Sequence, residues 1–173
     1  MDLTDLFPLD KWVELEKEIN RRSGLNATVF DSNGNRITDF KKWSNSLCPL
    51  IKASEKGQTF ICSSAHQNIA AVAKKTRNPV VEECDAGMAK IVVPVFVHDE
   101  FLGCVGGCGL LLGDESKVES YLVNKATSID VEEIERLAKK IGHISMEDAE
   151  AMGVFIAKKI NEIVESFEKE LTA

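Results

Sequence analysis

The fold is decided by residues 80–112, which read VVEECDAGMAKIVVPVFVHDEFLGCVGGCGLLL. This stretch contains three β-rich segments, Val80–Cys84, Lys90–Val97 and Phe101–Leu112, with the turns Asp85-Ala86-Gly87 and Asp99-Glu100 between them. Connections this short join neighbouring antiparallel strands. The stretch therefore predicts a three-stranded antiparallel meander.

A hairpin is predicted upstream of the meander. Asn33-Gly34 stands between the runs 25–30 and 36–38, both rich in β-branched or apolar residues. Asn-Gly between two such runs is typical of a two-residue hairpin turn, in which both central residues have positive φ. The hairpin brings the expected number of strands to about five.

The other periodic segments have the spacing of helices. They are Leu9–Arg22, Ser46–Ser54, Gln58–Lys75, Ser116–Ala126, Val131–Lys140 and Met146–Leu171. Gly24 is expected to end the first helix and Gly57 to separate the second from the third. Asp130 and Ser145 are the expected N-caps of the last two helices.

These elements predict an α+β fold with a central antiparallel sheet, helices on one face and at the end, and a long C-terminal helix. The predicted order of elements is a hairpin, a helical insertion and three meandering strands. This is the order found in PAS- or GAF-like sensor folds. We expect one domain over residues 1–173, with its core at about 7–163. Residues 145–171 carry an apolar stripe that predicts either a capping helix or a dimerisation and signalling helix.

Composition argues against several classes of protein. The chain has a formal net charge of -7 and no dense basic cluster, so direct binding to nucleic acid is not expected. No run approaches the ~18 apolar residues of a membrane span, and the acidic N-terminus is unlike a signal peptide. We therefore expect a cytoplasmic protein that does not contact the membrane and whose five cysteines stay mostly reduced.

The candidate ligand-binding groups are five cysteines and one histidine: Cys48, Cys62, His66, Cys84, Cys104 and Cys108. Cys62 and His66 are four residues apart on one predicted helix and share a face. Cys104 and Cys108 share a face of one predicted strand, because their spacing is even. If the helical insertion covers that face, these side chains converge. Each cysteine is equally a candidate for burial as a small apolar residue.

Three kinds of chemistry remain open for the cysteines. A metal ion or an iron–sulfur cluster held by Cys48, Cys62, Cys84, Cys104 and Cys108 is one interpretation, although the tight spacings of zinc ribbons and ferredoxins are absent. A redox input is another. Thiol catalysis by Cys62 and His66 is a third, but nothing marks an oxyanion site or an orienting carboxylate, so we do not expect an enzyme.

Glycines crowd the last strand of the meander at positions 103, 106, 107 and 109. Glycine weakens the interior of a strand unless a bulge or a close approach requires it. The cluster predicts either tight packing of a helix on the sheet or a strand whose backbone forms the floor of a ligand pocket.

Five motifs, in order along the chain, resemble the PocR sensory domain. They are Leu47–Ile51, Gly57–Cys62, Pro79–Met88, Val93–Val95 and Phe101–Gly107. The resemblance covers about residues 7–163 and implies a PAS-like fold that senses a small organic molecule, such as a short diol. It also implies a partner output module in two-component signalling or transcription regulation. The chain has no such module of its own, so we expect either an excised domain or a stand-alone adaptor.

The resemblance, combined with the residue patterns, gives nine expected ligand-binding residues. They are Cys48, Cys62, His66, Cys84, Asp85, Gly87, Gly106, Gly107 and Cys108. Two of them depart from the family pattern, since Asp85 stands where the family more often has His, and Cys108 where Gln is common. A thiol in place of an amide favours a metal, cluster or redox input over a polyol.

Overall fold

The central sheet is built around the predicted meander. The computed structural model describes residues 1–173 and contains five strands: β1 (Asn26–Asp31), β2 (Val80–Glu83), β3 (Met88–Val97), β4 (Glu100–Leu112) and β5 (His143–Ile144). Four strands are antiparallel in the order β1-β4-β3-β2, and the short β5 pairs parallel with the end of β4. The predicted α+β class and its open five-stranded sheet are confirmed.

The predicted hairpin at Asn33-Gly34 is only partly formed. Arg36 makes a single isolated bridge to Phe30 and no strand follows it. Gly34 has a φ of 81°, but Asn33 is not among the residues with positive φ, so the two-residue turn is absent. The Arg36 guanidinium donates to the backbone carbonyls of Ala27 and Phe40, and these contacts take the chain out of the sheet. The predicted strand at 36–38 is therefore wrong, and β5 is the fifth strand.

Helices occupy nearly all the segments predicted from periodicity. They are α1 (Leu3–Leu6), α2 (Leu9–Ser23), α3 (Cys48–Ala53), α4 (Glu55–Gly57), a π-helical segment (Gln58–Ser63), α5 (Ser64–Thr76), α6 (Ser120–Thr127), α7 (Val131–Ala138) and α8 (Met146–Thr172). Gly24 ends α2 with a φ of 77°. Ser145 caps α8 by accepting a 3.0 Å hydrogen bond from the backbone N–H of Asp148. None of these helices is both long and apolar enough to cross a bilayer.

Gly57 does not separate two helices as expected. Its φ of -61° is helical, and the chain continues from α4 into the π-helical segment and α5. The glycine is required by close packing, because a Cβ at this position would lie 2.3 Å from the carbonyl oxygen of Ile51. The break between the two predicted helices falls instead at Ser54, whose backbone is extended.

Helices cover both faces of the sheet, so the expectation of one covered face was too narrow. Ala89, Ile91 and Val93 of β3 belong to the core that includes residues of α2 and α8. Val92, one residue out of phase, packs with α5 on the opposite face. A strand covered on both faces has a nearly continuous apolar run, as β3 does.

The apolar stripe of α8 packs on the sheet of its own chain. Ala149, Met152, Ile156 and Ile160 are at most 8% exposed and belong to the main core. Of the two roles that the sequence left open for this stripe, the structure has the capping helix. A dimer formed through the same stripe would have to displace these core contacts.

Candidate functional site

A cavity of about 340 Å³ lies between the sheet and the helical insertion. Its floor is formed by β1, β3 and β4, and its walls by α3, the π-helical segment and the start of α5. Eleven of its 25 lining residues are hydrophobic, and the rest are polar or basic apart from two glycines. The insertion therefore covers the face of the sheet that carries Cys108, which is the condition under which the thiols were expected to converge.

The floor of the cavity is one row of side chains across three strands. Cys108 of β4 is paired with Asn26 of β1 on one side and with Lys90 of β3 on the other. Directly paired residues of antiparallel strands point to the same face. Thr28, two residues after Asn26, extends this floor and is 5% exposed.

The π-helical segment forms the wall that faces this row. Gln58, Ile61, Cys62 and Ser63 all lie in it and all line the cavity. A π-helical turn is rare, is found often at functional sites, and changes the direction of side chains relative to an α-helix. His66 follows on α5 and lines the same wall, so Cys62 and His66 do share a face as predicted.

Four of the five cysteines line the cavity: Cys48, Cys62, Cys84 and Cys108. None of the five forms a disulfide. Cys104 lies on the same face of β4 but belongs to the cluster formed by α5 and Val92, and it borders a neighbouring cavity of about 200 Å³. The predicted convergence of thiols therefore holds for four cysteines and not for Cys104.

Cys48 is the most closely held of these thiols. Its Sγ is 3.2 Å from the amide nitrogen of Asn45 and 3.5 Å from the Sδ of Met88. Asn45 also accepts hydrogen bonds from the backbone N–H groups of Leu47 and Cys48, which fixes the start of α3. The family motif around Cys48 thus places a thiol at the junction between α3 and the sheet.

Residues 5–167 match the protein-family model described as the sensory domain found in PocR. The chain belongs to the PocR sensory-domain family. The match covers nearly the same residues as the motif resemblance and confirms it. PocR is a sensory family, which supports a general role in sensing a small molecule. Neither the curated proteins nor the solved structures contain a match to this chain.

Four thiols of this PocR domain, those of Cys48, Cys62, Cys84 and Cys104, have a raised pKa that favours their neutral form. Burial is the main cause that raises the pKa of Cys48, Cys62 and Cys84, and it raises the pKa of Cys104 to about 12. A nucleophilic cysteine needs the opposite shift, because the thiolate is the reactive form. The raised pKa of Cys62 therefore does not favour thiol catalysis by this residue.

The cavity does not fit the metal or cluster interpretation. No group of three or more histidine, cysteine, aspartate or glutamate side chains is arranged to hold a metal ion. Structural zinc and iron–sulfur sites need about four such ligands, with thiols deprotonated.

His66 is a buried imidazole with an unsatisfied nitrogen. It is 6% exposed, and its ring lies 4.0 Å from that of Phe30, centroid to centroid. Its Nδ1 has no hydrogen-bond partner. Burial, followed by the charges of Lys90 and Lys52, lowers its pKa to about 4. His66 is therefore neutral at physiological pH and free to bond a ligand.

Four of the expected binding residues lie outside the lining of the cavity: Asp85, Gly87, Gly106 and Gly107. Asp85 is exposed in the turn between β2 and β3. Gly87, with a φ of 90°, packs on the carbonyl of Lys117. Gly106 packs so closely on β3 that a Cβ would lie 1.8 Å from the carbonyl oxygen of Ile91. The three glycines therefore allow close packing around the site, and none of the four residues forms the wall or floor of the cavity.

The basic residues of this PocR site were missed by the sequence reasoning. Arg36, Lys41, Lys52 and Lys90 all line the cavity. Lys90 carried a signal, because it is the only charged residue between Met88 and Val97 in an otherwise apolar strand. A lysine is rarely buried unless it is paired with a group of opposite charge.

Proposed function

We propose that this PocR domain binds a small organic molecule in the cavity under the helical insertion and reports its presence to a signalling partner. The observation that carries the proposal is that Cys48, Cys62 and Cys84, which lie on the motifs of a sensory family, line one cavity. These residues are spread over 37 positions of the chain, and the fold brings them to one wall where they pack beside a core cluster and also border the cavity.

The size of the cavity supports a small ligand. A volume of about 340 Å³ is at the low end of the ~300–1,000 Å³ found for small-molecule sites. Apolar residues such as Ile51 and Ile61 would bury the body of the ligand. Asn26, Thr28 and the imidazole of His66 would supply the few polar contacts that orient it.

β3 is the element that would transmit the signal. Lys90 faces the cavity, and the next residue, Ile91, faces the opposite side of the sheet. There Ile91 lies beside Gly153 of α8, where a Cβ would come within 3.9 Å of the isoleucine side chain. A ligand that shifts β3 would therefore shift the C-terminal helix. In this proposal the domain acts in the cytoplasm, and α8 contacts the output protein.

A binding screen tests the proposal. Small organic molecules are screened for a rise in the melting temperature of the wild-type domain, since a ligand that binds only the folded state stabilises it. The Cys108→Phe variant fills the floor of the cavity, and we expect it to abolish the rise for every true ligand. Tyr121→Phe, at a residue 67% exposed and outside the cavity, is the matched control and should keep the rise.

Binding that does not depend on the space above Cys108 would contradict the proposal. A set of ligands that stabilise Cys108→Phe as strongly as the wild type would bind elsewhere on the domain. The circular dichroism spectrum of the variant must match the wild type, which separates a filled cavity from a misfolded protein. Loss of binding without loss of structure is the expected outcome.

A further inference from the structure

The cavity is lined by basic residues and by no acidic one. Arg36, Lys41, Lys52 and Lys90 are among its 25 lining residues, which include neither aspartate nor glutamate. The chain as a whole has the opposite bias, with 28 acidic residues against 21 basic ones. The positive lining is therefore a local property of this site.

Lys90 is the strongest element of this lining. It is 7% exposed and stands at the centre of the floor, paired across the sheet with Cys108. Buried lysines are almost always paired with an acidic group. Lys90 takes part in none of the protein's eight ion pairs, and neither does Lys52.

Neither the cross-strand neighbour of Lys90 nor the carboxylate beside Arg36 is paired with Lys90. Glu82 is the partner of Lys90 on β2, but it is exposed and does not line the cavity. Glu16 is engaged with Arg36, at 3.5 Å, and with the hydroxyl of Thr38, at 2.7 Å. The ring of Phe30 faces the ammonium of Lys90, with its centroid 5.6 Å from Nζ.

We propose that the ligand of this cavity is a small organic anion, such as a monocarboxylate, whose charge pairs with Lys90 and Lys52. The inference rests on the proposed function, that the cavity binds a small molecule, and adds the charge of that molecule. The lining of the cavity contains no aspartate or glutamate, so the carboxylate of the ligand would be the counter-ion of these lysines. The hydroxyl of Thr28 and the amide of Asn26 stand on the same floor to complete its hydrogen bonds.

Burial of Lys52 supports the same assignment. This lysine lies on α3 in the wall above the floor, and burial is the main cause that lowers its pKa, with the charges of Arg36 and Lys90 acting in the same direction. An anion placed between Lys52 and Lys90 would relieve the repulsion between them. A neutral diol would leave both charges uncompensated.

Matched pairs of ligands test the inference. Lactate and lactamide, propionate and propionamide, and benzoate and benzamide are titrated calorimetrically into the wild-type domain. Each pair has nearly the same shape and differs in charge. We expect at least one carboxylate to bind at least tenfold more tightly than its amide. In Lys90→Met this ratio should fall below threefold, whereas Lys140→Met, at an exposed lysine outside the cavity, should keep it.

Crystals soaked in sodium iodide give a second readout that does not depend on the identity of the ligand. We expect an anomalous peak beside Lys90 Nζ in the wild type and none in Lys90→Met. Amides that bind as tightly as their carboxylates, or a cavity that takes up no iodide, would overturn the inference and leave the proposed function intact. The proposed function fails separately, if no molecule of either charge binds in the cavity.

Discussion

At the scale of single residues, the site combines groups that sequence patterns reveal with groups that they hide. Cys62 and His66 could be placed together because helical spacing fixes their direction. Lys52 and Arg36 could not, because a basic residue in a helix or a loop is usually solvated and nothing in its neighbours marks it as inward-facing. Only the folded chain shows that these charges meet over one row of β-strand residues.

His66 gives a prediction about pH. Its pKa of about 4 in the folded domain is below the 6.5 of an exposed histidine, so between these values the unfolded chain binds more protons than the folded one. Stability should therefore fall as the pH is lowered from about 6.5 to 4. The loss due to this one group is on the order of 2–3 kcal/mol, since one pKa unit corresponds to ~1.4 kcal/mol.

Urea unfolding of His66→Gln at several pH values checks this prediction. The variant should lose less unfolding free energy than the wild type between pH 6.5 and 4. Val154→Ala, at an exposed residue with no titratable group, should follow the wild type. Parallel pH profiles for the wild type and His66→Gln would show that the imidazole is not kept neutral by burial.

At the scale of elements, the meander was predictable in detail and the hairpin was not. Short turns and apolar runs place β2, β3 and β4 within about two residues of their observed bounds. Asn33-Gly34 has the composition of a hairpin turn, but the contacts of Arg36 outweigh that local preference. The π-helical segment has no sequence signature, because it depends on how the insertion packs over the sheet.

The glycines of β4 give a prediction at this scale. Gly106→Ala should destabilise the domain by about 2 kcal/mol or more, because its Cβ would overlap the carbonyl oxygen of Ile91 and the two central strands would have to separate. Gly142→Ala is the control, since its Cβ would meet only the side chain of Leu110, at 3.5 Å. It should change the unfolding free energy by no more than about 0.5 kcal/mol.

Chemical denaturation of the two variants, with the melting temperature as a second measure, checks the glycine prediction. If Gly106→Ala were as stable as Gly142→Ala, the close approach of β3 and β4 would not be required. In that case the glycines of this strand would need another explanation, such as direct backbone contact with a ligand.

At the scale of the whole molecule, the sequence predicted the class of the fold and the family, but not how the layers are arranged. The α+β pattern and the PocR motifs are both local features that a single chain displays. That helices cover both faces, with α8 behind β3 and the insertion in front, follows from packing between distant segments. This layering is what makes β3 a link between the cavity and the C-terminal helix.

A crystal structure of the domain with a carboxylate that raises its melting temperature decides whether the cavity under the insertion is the sensory site. We expect density for that molecule between His66 and Cys108, with its charged group within hydrogen-bond distance of Lys90 Nζ. A carboxylate bound anywhere else, with only water in the cavity, would show that the cavity is not the sensory site.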